Sequence, residues 1–301
     1  MSNRSTAVGA ISIVLWGCVI PLVRLAVEDI GLYASIAGIQ GFAGLSGLAV
    51  LWWRKQLPTA AAPYRTPAFA MRLVLFVLHI FLLYVAVHSI SREGLPAVIF
   101  CNYLWPSLVL IYSIPIARLR VPNPVLMGVG ITIVVIALML EFGFRGFAQL
   151  NAMGGYAALV YAVLGANAWG AYSAITRRAG QSSGSSGVVP IFQLISAGLA
   201  ALMSFQSTHP AQMFASLFSW PIIIAGILNF IAYLCWDIGV RKGNVVSLSL
   251  LADFIPWLSL TATSIVLGVA IDPMTKLSAA ILVIGALTAR LGTIERVRGG
   301  P

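Results

Sequence analysis

The sequence is a succession of apolar runs about twenty residues long, and these limit its fold more than any other feature. An α-helix needs about 20 mostly apolar residues to cross the hydrocarbon core of a bilayer. Ten such runs are present, at 7–27, 32–53, 70–90, 95–117, 124–140, 155–176, 188–206, 216–238, 244–270 and 276–292. In lipid the backbone must satisfy its own hydrogen bonds, so the runs predict helices. Of 301 residues, 60% are hydrophobic and only 9% charged. A soluble domain carries about 25% charged residues, so a water-soluble fold is excluded. The expected fold is an all-α polytopic membrane protein with ten transmembrane helices.

Most connections are short. The longest, 54–69, 141–154 and 177–187, leave no room for a soluble domain, and "GQSSGSSG" (180–187) reads as a polar linker. The N-terminal stretch "AISIVLWGCVIPLVRLAV" runs on without a small-residue cleavage site, so it reads as the first membrane helix.

The net charge of +10 would suggest nucleic acid in a soluble protein. Topology accounts for it instead, because cytoplasmic loops of membrane proteins collect Lys and Arg. With the N-terminus inside, the inner positions are Arg4, Arg54, Lys55, Arg65, Arg72, Arg118, Arg120, Arg177, Arg178, Arg241, Lys242, Arg290, Arg296 and Arg298. The outer ones are Arg24, Arg92, Arg145 and Lys276, a split of 14 to 4 among the 18. Both termini are therefore expected in the cytoplasm, with the lipid bilayer as partner and no nucleic acid. Cys18, Cys101 and Cys235 lie in apolar runs without metal or disulfide spacing and read as buried thiols. No metal site and no cofactor are expected.

The chain repeats itself. "VLWGCVIPLVRL" (14–25) aligns with "NAWGAYSAITRR" (167–178), placing Trp16 on Trp169, Gly17 on Gly170 and Arg24 on Arg177. At the same offset Gln40 meets Gln193. "IFLLYVAVHSISREG" (80–94) lies over "NFIAYLCWDIGVRKG" (229–243), and Pro106 meets Pro256. The repeats are 1–145 and 146–301. Each holds five helices, an odd number, so the second enters the membrane from the opposite side. Inverted repeats of this kind belong to secondary transporters, whose sites lie near the midplane between the halves.

Five plus five helices, with Trp-Gly in the first helix of each half, resemble the drug/metabolite transporter superfamily. "LWGCVIPLVRLA", "FCNYLWPSLVLIYSIPIA" and "NAWGAYSAITRRAG" look most like its bacterial aromatic amino acid exporters. The resemblance implies an inner-membrane exporter of aromatic and other neutral amino acids, working by alternating access. Export of other small metabolites or drugs is the alternative within the superfamily. One departure is visible. Where many members carry Gly-Glu after the fourth and ninth helices, this chain reads "IARLRVPNP" (116–124) and "LGVAIDP" (267–273), with no Glu.

Helix midpoints give depth. Near the midplane lie Trp16, His79, Tyr84, Asn102, Tyr103, Trp105, Asn167, Trp169, Asn229, Tyr233, Asp253 and Trp257. Polar groups at that depth face the bundle or a wet cavity rather than lipid. The expected substrate site is Trp16, His79, Tyr84, Asn102, Tyr103, Trp169, Asn229, Tyr233, Asp253 and Trp257. Its rings would hold an apolar or aromatic side chain, and its amides and imidazole the charged groups of an amino acid.

Each residue also has a plain reading. Trp16 and Trp169 could be helix packing, Asn102 and Asn229 interhelical bonds, and Tyr84 and Tyr233 packing. Asp253 could line the cavity or cap backbone freed by Pro256. Pro106 and Pro256 favour kinks and are candidate hinges. The glycines of "GIQGFAGLSG" (38–47) permit close helix approach. Trp52, Trp53 and Trp220 read as interfacial anchors. His88 lies near the outer end, on the opposite side of its helix from His79, so the two cannot form one site. Asp237 with Arg241 and Arg24 with Glu28 have the spacing of ion pairs within a helix.

An intramembrane enzyme would need clustered catalytic groups. The sequence has no H-E-x-x-H, G-x-S-x-G, Walker loop or aspartate-rich motif. A channel has no need of an inverted repeat. Only His79 and Asp253 are deep enough to carry a coupling proton, and neither has a titrating repeat partner. The reading is downhill export by a protein functional as a monomer.

Overall fold

A computed structural model describes residues 3–55, 66–145, 155–182, 188–204 and 218–293. The linker from residue 183 and the join between the halves at 146–154 lie outside the described residues. The described residues form twelve helices. They are α1 (Asn3–Ile30), α2 (Leu32–Trp53), α3 (Pro67–Ser89), α4 (Leu95–Asn102), α5 (Trp105–Ala117) and α6 (Pro124–Arg145). Then follow α7 (Gly155–Ser182), α8 (Val188–Ser204), α9 (Trp220–Lys242), α10 (Val245–Ala252), α11 (Ile255–Leu267) and α12 (Pro273–Leu291). Among the described residues nine segments are long and apolar enough to cross a membrane, α4–α5 and α10–α11 counting as one each. The 17-residue α8 is a tenth, shorter apolar helix.

Several helices outrun their apolar stretches. The first extends to Ile30, the fifth spanning helix to Arg145 and the sixth to Ser182. Hydropathy marks where lipid stops, not where the backbone stops being helical. Starts are set chemically. Thr66 accepts from the Phe69 N–H at 3.2 Å and Asp272 from the Met274 N–H at 2.7 Å, each just before a proline at the first helical position. Gly31 alone joins α1 to α2, and its φ of +83° is the left-handed conformation glycine adopts freely.

The fourth and ninth spanning segments are broken, not kinked. Pro106 and Pro256 cannot donate to the carbonyls four residues back, and their rings clash with them. Those carbonyls belong to Asn102 and Ala252, the last residues of α4 and α10. At each break the chain tightens to an i to i+3 bond, from Leu104 to Cys101 at 3.3 Å and from Phe254 to Leu251 at 3.1 Å.

Packing pairs α1 with α9, α3 with α7, α2 with α8, and α6 with α12. The second parts of the broken segments lean on the Trp-Gly helices, α5 on α7 and α11 on α1. The glycine makes this possible. A Cβ on Gly17 would stand 2.7 Å from the Leu258 Cβ, and one on Gly170 would stand 2.8 Å from the Leu108 Cβ. Each Trp-Gly thus has a ring turned to the core and a bare backbone facing a broken helix. In α2, Gly44 and Gly47 similarly let Leu194 and Pro190 of α8 come close.

Two expectations about surface and core need correcting. Cys18 is exposed, because it faces away from the α1 core stripe; Cys101 and Cys235 are buried. Arg290 and Arg72, counted from the sequence as loop charges, are buried within α12 and α3. Trp52, Trp53, Trp220 and His88 are exposed, in keeping with their plain readings.

Candidate functional site

At the centre of the bundle lies a cavity of about 40 Å³. Eight of the ten expected site residues line it: Trp16, His79, Tyr84, Asn102, Tyr103, Trp169, Asn229 and Tyr233. Trp105 lines it too, and so does Gln40, which the sequence showed only as a repeat match. The walls come from α1, α2, α3, the α4–α5 segment, α7 and α9. Among the described residues that line it there is no Lys, Arg, Asp or Glu.

The rings are tightly interlocked. Trp16 meets Trp169 edge to face at 5.5 Å, Tyr233 at 5.2 Å and Trp105 at 6.0 Å, measured between ring centroids. Trp169 also stacks on Tyr172 at 4.8 Å and lies 5.0 Å from the His79 ring. Each such pair contributes about 0.5–1.5 kcal/mol beyond area burial. Phe76, Tyr172 and Phe192 continue the cluster towards the end of the bundle where α3 begins.

Polar contacts orient the wall. The His79 Nδ1 lies 3.0 Å from the Gly165 carbonyl of α7, and a carbonyl can only accept, so Nδ1 carries the proton. The Tyr103 hydroxyl donates to the Trp16 carbonyl at 3.1 Å, tying the α4–α5 break to α1. The Gln40 amide reaches the Tyr84 hydroxyl at 3.5 Å. Ligand cavities typically measure about 300–1,000 Å³, so an aromatic amino acid enters this one only when the rings move apart.

Two expected residues lie elsewhere. Trp257 packs half-buried against the core without reaching the cavity. Asp253 neither lines the cavity nor caps freed backbone. Its carboxylate receives two hydrogen bonds from Arg290 of α12, both 2.6 Å, and each side chain is 1% exposed. The pair joins the α10–α11 break to the peripheral α6–α12 unit. Asn167 also faces away, accepting from the Tyr112 hydroxyl at 2.9 Å and donating to the Val163 carbonyl at 2.8 Å.

Charged clusters stand at the two ends of the core. At one, Arg24 bonds Glu28 at 2.7 Å and the Val87 carbonyl at 2.7 Å, and Arg92 bonds the same Glu28 at 2.9 Å. This network ties α1 to the end of α3. At the other, Arg241 bonds Asp237 at 2.5 Å within α9, and Arg72 of α3 lies within electrostatic range. The i,i+4 spacing made both helical pairs legible in the sequence. Nothing there indicated Glu141 of α6, fully buried and bonded by the Thr275 hydroxyl of α12 at 3.0 Å. Among the described residues no group of three or more His, Cys, Asp or Glu is arranged to hold a metal.

Residues 156–291 match the EamA-like transporter family. The chain is 25% identical to the aromatic amino acid exporter YddG of Salmonella typhimurium, over 98% of this chain and 99% of that one. It is also 25% identical to the exporter of the same name from Escherichia coli, over 88% and 89%. A protein so named from Ancylobacter novellus is 32% identical over 63% of this chain and 64% of its own. A crystal structure of a protein 22% identical to this chain superposes with a TM-score of 0.70, covering 98% of this chain and all of that one, and shows the same fold.

Proposed function

We propose that the chain, whose residues 156–291 match the EamA-like transporter family, is a drug/metabolite transporter that exports aromatic and other neutral amino acids across the bacterial inner membrane. The observation that carries this reading is the uncharged central cavity, walled by tryptophan and tyrosine rings and side-chain amides. Rings match an aromatic side chain, and amides match a zwitterion whose own charges cancel. The names of the relatives point the same way.

In this reading the halves 1–145 and 146–301 are inverted repeats that rock about the cavity. The exchange of packing partners supports it: α1 on α9 answers α7 on α3, and α11 on α1 answers α5 on α7. In this reading Arg24, Glu28 and Arg92 close the periplasmic end and both termini are cytoplasmic, an orientation that the distribution of Lys and Arg supports. Pro106 and Pro256 serve as hinges. The burial of Asp253 against Arg290 leaves no carboxylate among the described residues that line the cavity and favours downhill export, and we read the carrier as a monomer.

The test is purified protein in liposomes with radiolabelled tryptophan inside. Saturable efflux that accelerates when unlabelled tryptophan is added outside supports a carrier. Flux that rises linearly with concentration indicates a channel, and chemical conversion of the label indicates an enzyme.

A further inference from the structure

The central cavity carries hydrogen-bond acceptors that no described residue uses. The His79 Nδ1 donates to the Gly165 carbonyl, and the ring makes no other hydrogen bond. A buried imidazolium with no counter-charge is costly, so the ring is neutral and its Nε2 keeps a lone pair. The Gln40 Oε1 and Asn102 Oδ1 are also buried without a partner. All three side chains line the same cavity. Unpartnered acceptors are expensive at this depth and persist where a ligand is to supply the donor.

For a carboxylate the described wall offers only neutral donors, the Asn229 amide and the Tyr233 hydroxyl among them. No arginine or lysine is on the wall. Arg24 is engaged by Glu28 and the Val87 carbonyl, and Arg290 by Asp253. The unpartnered Trp236 indole N–H sits behind the wall, its ring packed on Trp16 and Trp105. Ring faces of Trp16 and Trp169 add attraction for a cation and none for an anion.

We propose that the cavity is an ammonium site: the His79 Nε2, Asn102 Oδ1 and Gln40 Oε1 receive the three N–H bonds of a primary ammonium group, so that aromatic amines without a carboxylate are substrates as well. The proposal rests on reading this cavity as the substrate site. An ammonium brings three donors and no acceptor. In an amino acid the carboxylate is left to neutral amide N–H groups such as that of Asn229. Removing it costs little, whereas removing the ammonium leaves the acceptors empty.

The experiment is competition against saturable tryptophan flux in liposomes, using ligands that share the indole. Tryptamine keeps only the ammonium, and indole-3-propionate only the carboxylate. Tryptamine is expected to inhibit at concentrations comparable to tryptophan. Indole-3-propionate is expected to be at least about ten-fold weaker, the worth of a lost hydrogen bond to a charged group. His79→Phe, which keeps a ring and loses the acceptor, should weaken tryptamine and leave indole-3-propionate unchanged. If that variant does not fold, the order of the two ligands on the native protein decides alone. Indole-3-propionate inhibiting as well as tryptamine, with tryptophan flux intact, overturns the ammonium site. Absence of saturable tryptophan flux fails the amino acid exporter reading instead, and labelled tryptamine flux then tests the ammonium site directly.

Discussion

The indole rings of Trp16 and Trp169 meet edge to face at the middle of the bundle, 5.5 Å apart and at 87°. One comes from each half of the chain, and each precedes a glycine that admits a broken helix against its backbone. The contact joins the two halves and forms part of the wall of the central cavity, so loosening it changes both the cavity's volume and the fit between halves.

Trp169→Ala and His79→Ala are therefore expected to slow tryptophan flux more than alanine flux. Losing one or more ring contacts lowers tryptophan kcat/KM by about ten-fold, with alanine changed by less than about three-fold. Initial rates in liposomes at matched protein amounts check this. Equal changes for both substrates would return the two residues to packing.

Gly17→Ala should destabilise the protein by about 1–3 kcal/mol, because the added methyl overpacks Leu258. Leu258→Gly in the same chain should restore part of the loss, since it removes the Cβ that the methyl meets. Thermal unfolding in detergent of both single variants and the double variant measures the coupling. Additive losses would mean that Gly17 is not where the broken helix sits.

Asp253→Asn leaves Arg290 buried without its counter-charge, at a cost of about 3–5 kcal/mol. Its yield of folded protein by size-exclusion chromatography should collapse. Replacing the pair together, with Asp253→Leu and Arg290→Met, should recover it. The recovered protein should carry tryptophan at the native rate. Under a pH gradient with equal substrate on both sides, neither protein should accumulate tryptophan. Accumulation by the native protein alone would identify the pair as the proton-coupling element.

Topology has its own test. On a cysteine-free background, Glu93→Cys and Lys276→Cys should react with an impermeant thiol reagent in intact cells. Pro122→Cys should react only after the cells are opened. The reverse pattern would invert the assigned orientation.

The contrast between Tyr103 and Asp253 shows what the sequence could and could not reveal. The sequence match of Pro106 to Pro256 sets Tyr103 against Asp253 at one expected depth, yet Tyr103 reaches the cavity and Asp253 turns to α12. Apolar runs fix the number of spans and the depth of each residue, so the ten segments and eight wall residues were readable. Rotation about the helix axis depends on which neighbour packs where, and a run apolar on all sides does not encode it. Trp257 was misplaced for that reason. Arg290 escaped notice because its partner lies 37 positions away, unlike the i,i+4 partner of Arg241. Proline marked the sites at 106 and 256, but whether the helix bends or ends there depends on the Trp-Gly helices packed beside it.

The central claim is that substrate passes through the cavity where Trp16 and Trp169 meet. Leu83, on the cavity wall, offers a direct measurement. With Leu83→Cys as the only cysteine, the rate of alkylation by a small permeant maleimide is followed in liposomes at increasing tryptophan. The account predicts that tryptophan slows alkylation with a half-effect near its KM, and that alkylated protein loses flux. Alkylation indifferent to tryptophan, with flux persisting after complete modification, would contradict it.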